Sequence, residues 1–244
     1  MTSGMTKLLS GAIFACAMVP LAFAGPLTPC PTASLASYIA ANTPCQIGSL
    51  EFSDFLYFNN YFPALLGPSA NNILVTPVNA SGDAGLEFSA SWTATGNGNG
   101  MDSAIVYAVS TISGAATLTG TGFGMTDSIT SGSLTVDYSE TMCLGEIVTG
   151  THQCPTTDEL LLQIQGTSPD GYRQTSGEFA PVSEITVLND VFIKSLDPDG
   201  NGEILNGSNT FPNTQTPEPA TCLLGISGLL VLWQLGRAAH RRKN

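Results

Sequence analysis

The chain has 244 residues and a formal net charge of −12, with 26 glycines and only 11% charged residues. Residues 25–216 carry 18 acidic side chains against 2 basic ones, a net charge of −16 for that stretch. A surface of this sign repels nucleic acid and anionic lipid, so the composition excludes a polyanion-binding role. It suits a protein that stays dissolved outside the cell or one that gathers cations.

The first 24 residues have the pattern of a secretory signal peptide. A positive amino-terminal region is followed by an apolar run, a helix breaker and two small residues at the positions that signal peptidase recognises: Lys7, residues 8–19, Pro20, Ala22 and Ala24. This order predicts export and cleavage by signal peptidase before Gly25. A lipoprotein signal ending at Cys16 is the alternative, but bulky Phe14 fits its cleavage site poorly.

Four cysteines lie between the signal peptide and the carboxyl-terminal segment. They fall into two local pairs, Cys30 with Cys45 and Cys143 with Cys154. Four cysteines allow three connectivities, and proximity in sequence favours closing the two small loops. A zinc site is the competing use, but it calls for closely spaced cysteines with histidine partners, and His152 is the only histidine outside the tail. We expect two disulfides, in keeping with export.

The chain ends in an apolar stretch over residues 220–236. As a helix this stretch would be about 25 Å long, near the lower limit for crossing a hydrocarbon core. Pro217 and Pro219 cannot sit inside a helix and so precede it, and a basic cluster follows it: Arg237, Arg241, Arg242 and Lys243. The positive-inside rule predicts a cytoplasmic tail over residues 237–244 and an exported body. A permanent membrane anchor is one use of such a segment.

The same ending resembles the PEP-CTERM sorting signal, in which a Pro-Glu-Pro motif precedes an apolar helix and an arginine cluster. Here Pro217, Glu218 and Pro219 supply the motif, and residues 217–244 make up the signal. The resemblance implies transient insertion in the inner membrane of a Gram-negative-type bacterium and removal of the tail by the membrane protease exosortase. The protein would then reach the cell surface, the outer envelope or an exopolysaccharide matrix. Residues 30–57 resemble an ectodomain pattern that recurs among PEP-CTERM proteins and brings no known activity.

Residues 25–206 are predicted to form the folded ectodomain. One short helix is expected at residues 33–41, with Thr32 as N-cap and Leu35, Tyr38 and Ile39 on one face. Residues 103–112 are apolar on both sides and predict a central strand. Alternating segments predict half-buried strands at 86–93, 134–138, 160–164 and 185–187. The last of these is expected to continue at 191–193, after a bulge. This pattern predicts a single antiparallel β-sandwich of jelly-roll or immunoglobulin-like type.

Glycine and polar runs are expected to separate these strands. Residues 96–100 and 120–124 are predicted to be turns. The first is expected to be a hairpin loop, because it lacks the lysine that would follow a phosphate-binding loop. Residues 207–216 are rich in Asn, Thr and Ser and are predicted to be a linker to the sorting signal.

The sequence offers no catalytic motif. Phosphate-binding, dinucleotide-binding and nucleophile-elbow motifs do not occur. His152 lies in the short loop between Cys143 and Cys154, which favours an exposed histidine over a triad member. Asp158 and Glu159 are adjacent, so on a strand their side chains would point to opposite faces. We therefore predict a protein that is not an enzyme.

One stretch has the spacing of half a calcium loop. Asp197, Asp199 and Asn201 stand where oxygen ligands wrap a hard cation, and Glu203 can supply a backbone carbonyl at the next ligand position. The twelfth position is Ser208, so the usual bidentate glutamate is missing. A polar β-turn and a calcium site are both consistent with this stretch.

Two function classes remain open from the sequence. The favoured one is a non-enzymatic surface or matrix protein with glycan binding as its candidate activity, and the alternative is a secreted glycan hydrolase. A binding module needs exposed aromatic side chains, for which Tyr57, Tyr61 and Trp92 are the candidates. A hydrolase needs two carboxylates facing each other across a cleft. The expected partners are signal peptidase, exosortase and extracellular polysaccharide.

Overall fold

The computed structural model describes residues 27–59, 65–80, 82–112, 116–146, 154, 159–166 and 171–215. The predicted signal peptide and the sorting signal lie outside these residues, as do Tyr61, His152 and Asp158. Within the described ranges, no helix is both long enough and apolar enough to cross a bilayer.

Two sheets pack face to face. Sheet A runs from edge to edge as β1 (Thr28–Pro29), β3 (Cys45–Ile47), β4 (Leu50–Phe58), β7 (Gly100–Thr111), β12 (Glu184–Ser195), β9 (Leu134–Leu144) and β10 (Glu159–Gly166). Sheet B runs as β11 (Gly171–Val182), β8 (Ala116–Ser131), β13 (Asn201–Phe211), β6 (Asp83–Thr95), β5 (Leu74–Ala80) and β2 (Ala33–Ser34), with β14 (Asn213–Gln215) also paired to β8. The helix α1 (Leu35–Ala41) and a 3₁₀ turn at Ala70–Asn72 complete the described elements.

The architecture is the predicted β-sandwich. Among the strands that the structure describes, β1 and β3 pair in parallel and all other pairings are antiparallel. From β6 to β13 the chain changes sheet at every connection except the β9–β10 hairpin, as in jelly-roll sandwiches that wrap one chain around one core. Alternating side chains of both sheets fill that core, which confirms the half-buried strands predicted from their alternation.

The centre of sheet A is the segment predicted to be a central strand. Residues 102–109 of β7 are all buried on both sides of the strand, and β4 and β12 flank it. Tyr107 faces sheet B and stacks on Phe55 with a centroid distance of 5.6 Å. The apolar pattern on both sides of this strand therefore reported its position correctly.

The helix begins later than predicted. Ser34, not Thr32, is the N-cap, and its hydroxyl accepts a hydrogen bond from the Ser37 amide at 3.2 Å. Ala33 and Ser34 pair with β5 as β2, so they are extended instead of helical. Tertiary strand pairing thus shortens the predicted helix at its amino-terminal end.

One glycine-rich prediction is wrong, and a second is right only in part. Residues 120–124 lie inside β8, where Gly120, Gly122 and Gly124 alternate with side chains that point the other way. Residues 96–100 do form a turn, but it carries the chain from β6 in sheet B to β7 in sheet A and is therefore not a hairpin loop. In β8 the glycines leave the outer face without side chains. In the turn at residues 96–100 they adopt the left-handed conformation, with φ of +77° at both Gly96 and Gly98.

The predicted linker and the predicted bulge are also wrong. Residues 207–211 belong to β13, and Phe211 is fully buried in the core, so the folded domain continues past residue 206. Polar Ser208 and Thr210 made this strand resemble a linker because they face outward. The strand β12 pairs with β7 and β9 without a register shift, so residues 185–193 contain no bulge.

Both predicted disulfides are present. Cys30 bonds Cys45 across the segment that holds α1, and Cys143 bonds Cys154 beyond the end of β9. Disulfides persist in oxidising compartments, so this pairing is typical of a protein that folds outside the cytosol.

Candidate functional site

Of the three aromatic residues predicted as glycan contacts, the two that the structure describes, Tyr57 and Trp92, are not exposed. Trp92 is 1% exposed in the core, and its indole Nε1 donates a hydrogen bond to Ser103 Oγ at 2.8 Å. The Tyr57 hydroxyl donates to the carbonyl of Pro68, and burial raises the pKa of Tyr57 to about 12. Both side chains therefore serve packing within the sandwich.

The exposed aromatic residue of the described ranges is Tyr172, which no sequence pattern singled out. It lies on β11, the edge strand of sheet B, and is 62% exposed. Its strand alternates between half-buried and exposed positions, with Gln174, Ser176 and Glu178 on the same outer face as Tyr172. A half-buried strand can be found in a sequence when apolar and polar residues alternate. Here the alternation is hidden, because the inward positions hold Arg173 and Thr175 instead of large apolar residues.

Beside Tyr172, two glycines of β8 leave the outer face of sheet B without side chains of its central residues: Gly122 and Gly124. On β8, Gly124 lies between Gln174 of β11 and Ser208 of β13, and Gly122 lies between Ser176 and Thr210. A Cβ at residue 124 would lie 2.7 Å from the Tyr172 hydroxyl, so the phenol ring lies over the backbone of β8. Any larger residue at position 124 would displace this ring.

These residues enclose a shallow groove of about 290 Å³. Its lining is made of an aromatic ring, glycine backbone and side chains that both donate and accept hydrogen bonds: Gly122, Phe123, Tyr172, Gln174, Thr175, Ser176, Ser208 and Thr210. We call it the Tyr172 groove. Strands hold most of these side chains in fixed positions, so the groove presents a preorganised row of polar groups beside one apolar surface.

A second cavity of about 560 Å³ adjoins the Tyr172 groove at Ser176. It lies where β11 and β8 lose register between Glu178 and Val182. Its walls include Gly120, Thr121, Glu178, Phe179, Pro181 and Pro212. We call it the Pro212 cavity.

The charge around both cavities is negative. Arg173, the one basic residue on the strands of sheet B, points inward and pairs with buried Asp127 at 3.1 Å. The other basic residue of the described ranges, Lys194, lies on β12 in sheet A. Glu87, Glu178 and Glu203 lie on the strands of sheet B at partly or fully exposed positions.

The residues predicted for calcium are spread over a turn and a strand. Asp197 and Asp199 lie in a turn closed by the Gly200 amide and the Asp197 carbonyl, and the Asp197 carboxylate accepts from the Ser133 amide at 2.9 Å. Asn201 and Glu203 lie on β13, where Glu203 accepts from Ser91 at 2.9 Å. Over the described ranges, no group of three or more His, Cys, Asp or Glu side chains is placed to hold a metal ion. Calcium binding stays a prediction.

Carboxylates do meet on the outer face of sheet A. Burial, the charge of Asp102, a hydrogen bond with Asp102 and the charge of Asp137 together raise the pKa of Asp190 to about 7. Asp102 itself is 0% exposed, so its carboxylate does not face solvent as a glycan hydrolase would require. Glu159 lies at the start of β10 and is exposed.

A polar cluster also crosses the interior between the sheets. Glu140 of β9 is fully buried and accepts hydrogen bonds from Asn209 at 2.8 Å and from the Thr121 hydroxyl at 3.3 Å. Asn189 donates to Asn209 Oδ1 at 2.7 Å. Burial raises the pKa of Glu140 to about 8, and the bonds from Asn209 and Thr121 oppose that rise. This carboxyl group is therefore protonated in the folded protein at neutral pH.

No protein-family model matches the sequence, and no curated protein matches it. Among solved structures, the chain is similar to TmCBM61 in complex with β-1,4-galactotriose, at 10% identity and a TM-score of 0.31, over 75% of this chain and 100% of that one. It is similar to the CBM22-1 xylan-binding domain of Paenibacillus barcinonensis Xyn10C, at 8% identity and a TM-score of 0.24, over 77% and 97% of the two chains. A family 11 carbohydrate-binding module from Clostridium thermocellum shows 10% identity and a TM-score of 0.21, over 67% and 89%. Similarity at this level supports no conclusion about ligand or mechanism.

Proposed function

We propose that this protein binds polysaccharide through the Tyr172 groove and performs no catalysis. The observation that carries the proposal is the exposed ring of Tyr172 beside a row of hydroxyl and amide side chains on one rigid sheet face. Binding sites combine apolar or aromatic surface with a few fixed polar groups that set orientation.

Sugar chemistry matches this arrangement. A pyranose ring has a face of C–H groups, which packs on an aromatic ring, and an edge of hydroxyls, which both donate and accept hydrogen bonds. Tyr172 supplies the apolar surface, and Gln174, Ser176, Ser208 and Thr210 supply partners for hydroxyls. At Gly122, which the Tyr172 ring does not cover, the missing side chain leaves room for a sugar ring beside the Thr210 hydroxyl.

Affinity electrophoresis through gels that contain xylan, β-1,4-galactan or mixed-linkage β-glucan tests the proposal. We expect at least one of these polymers to retard the wild type. Tyr172→Ala should weaken that binding by tenfold or more, since burying an aromatic side chain contributes about 1.5–3 kcal/mol. Tyr172→Phe keeps the ring and should retain most of the affinity.

The matched control is Leu161→Ala. Leu161 is 59% exposed on β10 in sheet A, so this change removes a similar exposed apolar side chain from the opposite sheet. Its binding should equal that of the wild type. Equal retardation of the wild type and Tyr172→Ala, or none of the wild type in any of the three gels, would refute binding at this groove.

We propose further that the protein is exported and acts at the cell surface or in an exopolysaccharide matrix. The two disulfides support an oxidising compartment. The PEP-CTERM resemblance of residues 217–244 supports transient inner-membrane insertion and processing by exosortase. Neutral replacements of the basic cluster, Arg237, Arg241, Arg242 and Lys243, should block tail processing in the native host. Unchanged processing on immunoblots of fractionated cells would contradict this sorting route.

A further inference from the structure

The Tyr172 groove and the Pro212 cavity share a wall at Ser176. From Tyr172 to Glu178 the strand β11 advances by six residues, which corresponds to ~20 Å along a strand. A single sugar ring fills only a fraction of that length. The two cavities together therefore have the dimensions of a site for a chain of several sugars.

The hydrogen-bonding groups along this length are uncharged until the far end. Gln174, Ser176, Ser208 and Thr210 line the Tyr172 groove, and Thr119 lies further along, in the wall of the Pro212 cavity. The first charged side chain on these walls is Glu178, which is exposed. Since Arg173 points inward to Asp127, no basic side chain among the described residues of sheet B could neutralise an acidic sugar in this place.

We propose that the Tyr172 groove and the Pro212 cavity form one cleft for a linear uncharged polysaccharide, which lies along β11 and is bound within its length. This inference rests on the proposed function and adds the class of polysaccharide and the direction in which its chain lies on the sheet. Glu178 is the specificity-determining residue, because its carboxylate repels uronic-acid chains that would otherwise fit the same cleft.

The test is calorimetric titration of the full-length protein with ladders of β-1,4-linked glucose, xylose and galactose oligomers, from the dimer to the hexamer. In at least one ladder the affinity should rise by roughly threefold or more for each added sugar until the cleft is filled, as expected for one or two net hydrogen bonds per sugar. The β-1,4-glucuronan hexamer, which differs from the glucose hexamer only at C6, should bind roughly two- to threefold more weakly at low salt.

Two variants separate the parts of the cleft. Ser176→Phe places a bulky side chain where the two cavities meet, so it should preserve dimer binding and abolish the gain with length. Glu178→Lys should strengthen binding of the glucuronan hexamer by roughly three- to tenfold at low salt, because repulsion is replaced by attraction at an exposed site. Glu203→Lys is the matched control, since it makes the same charge change on β13, outside the two lined cavities.

The outcomes distinguish this inference from the proposed function. If a dimer binds, Tyr172→Ala abolishes that binding and longer oligomers bind no better, the groove is a short site and the cleft is refuted. Equal affinity of the wild type for the glucuronan and glucose hexamers refutes the proposal that Glu178 disfavours charged polysaccharides. If no neutral oligomer or polymer binds at all, the proposed function fails together with the cleft.

Discussion

The buried carboxyl group of Glu140 makes the stability of this protein depend on pH. Burial raises its pKa from 4.5 to about 8 in the folded state. Between these two values the unfolded chain has released the proton while the folded protein still holds it, so the contribution of Glu140 to stability is greatest below pH 4.5 and is lost as the pH rises through 8. The slope is about 1.4 kcal/mol per pH unit, which amounts to about 3 kcal/mol lost by pH 7.

The perturbation that isolates this effect is Glu140→Gln. A glutamine has the same shape, does not titrate, and can accept from Asn209 as the carboxyl group does. Urea unfolding of both proteins, with disulfides intact, gives the free energy of unfolding at pH 5, 6 and 7. Relative to the wild type, the variant should become more stable by about 2.5 kcal/mol between pH 5 and pH 7.

The difference between the two proteins is the informative quantity, because contributions from other titrating groups such as Asp190 are common to both and cancel. Glu178→Gln is the control, since it makes the same chemical change at an exposed site and should leave the slope unaltered. A difference between Glu140→Gln and the wild type that stays constant with pH would show that Glu140 is ionised in the folded protein, and the reasoning from burial would be wrong.

Three further predictions concern the Arg173–Asp127 ion pair, the glycines of the Tyr172 groove and the calcium-like segment. Arg173→Ala leaves the buried carboxylate of Asp127 without its ion pair and should lower the free energy of unfolding by about 2–3 kcal/mol, whereas Lys194→Ala should not; equal effects would contradict this. Gly122→Val places a side chain 2.6 Å from Thr210 Oγ1 on the groove floor, so it should abolish polysaccharide retardation while the near-ultraviolet circular dichroism stays that of the wild type. The calcium prediction implies that Ca²⁺, unlike Mg²⁺, raises the melting midpoint by roughly 3–5 °C and that Asp199→Ala removes the effect; equal shifts would leave the segment as a turn.

How far the sequence revealed the fold depended on what each strand buries. The strands β6, β7 and β9 place large apolar residues inward, as Leu86 and Tyr138 show, and hydrophobic periodicity located all three. The strand β11 places Arg173 and Thr175 inward, and β8 presents glycines outward, so neither has a hydrophobic period. Their positions depend on partners far along the chain.

The candidate site was missed for the same reason. Its walls come from β11, β8 and β13, and neither β11 nor β8 was assigned as a strand from the sequence. The predicted aromatic contact Trp92 is instead held in the core by Ser103, a partner on the opposite sheet. Disulfide pairing was predictable because each bond closes a short loop, so its partners are already near in sequence.

The position of β11 at the edge of sheet B also bears on solubility. An edge strand offers unpaired backbone groups to any other strand, and proteins gathered on a polymer reach high local concentrations. Glu178, Pro181 and the register shift that follows Glu178 interrupt this edge with a charge, a missing amide donor and a bend. The residues that wall the Pro212 cavity thus also disfavour strand addition, which would keep neighbouring copies on the same polysaccharide from joining sheet to sheet.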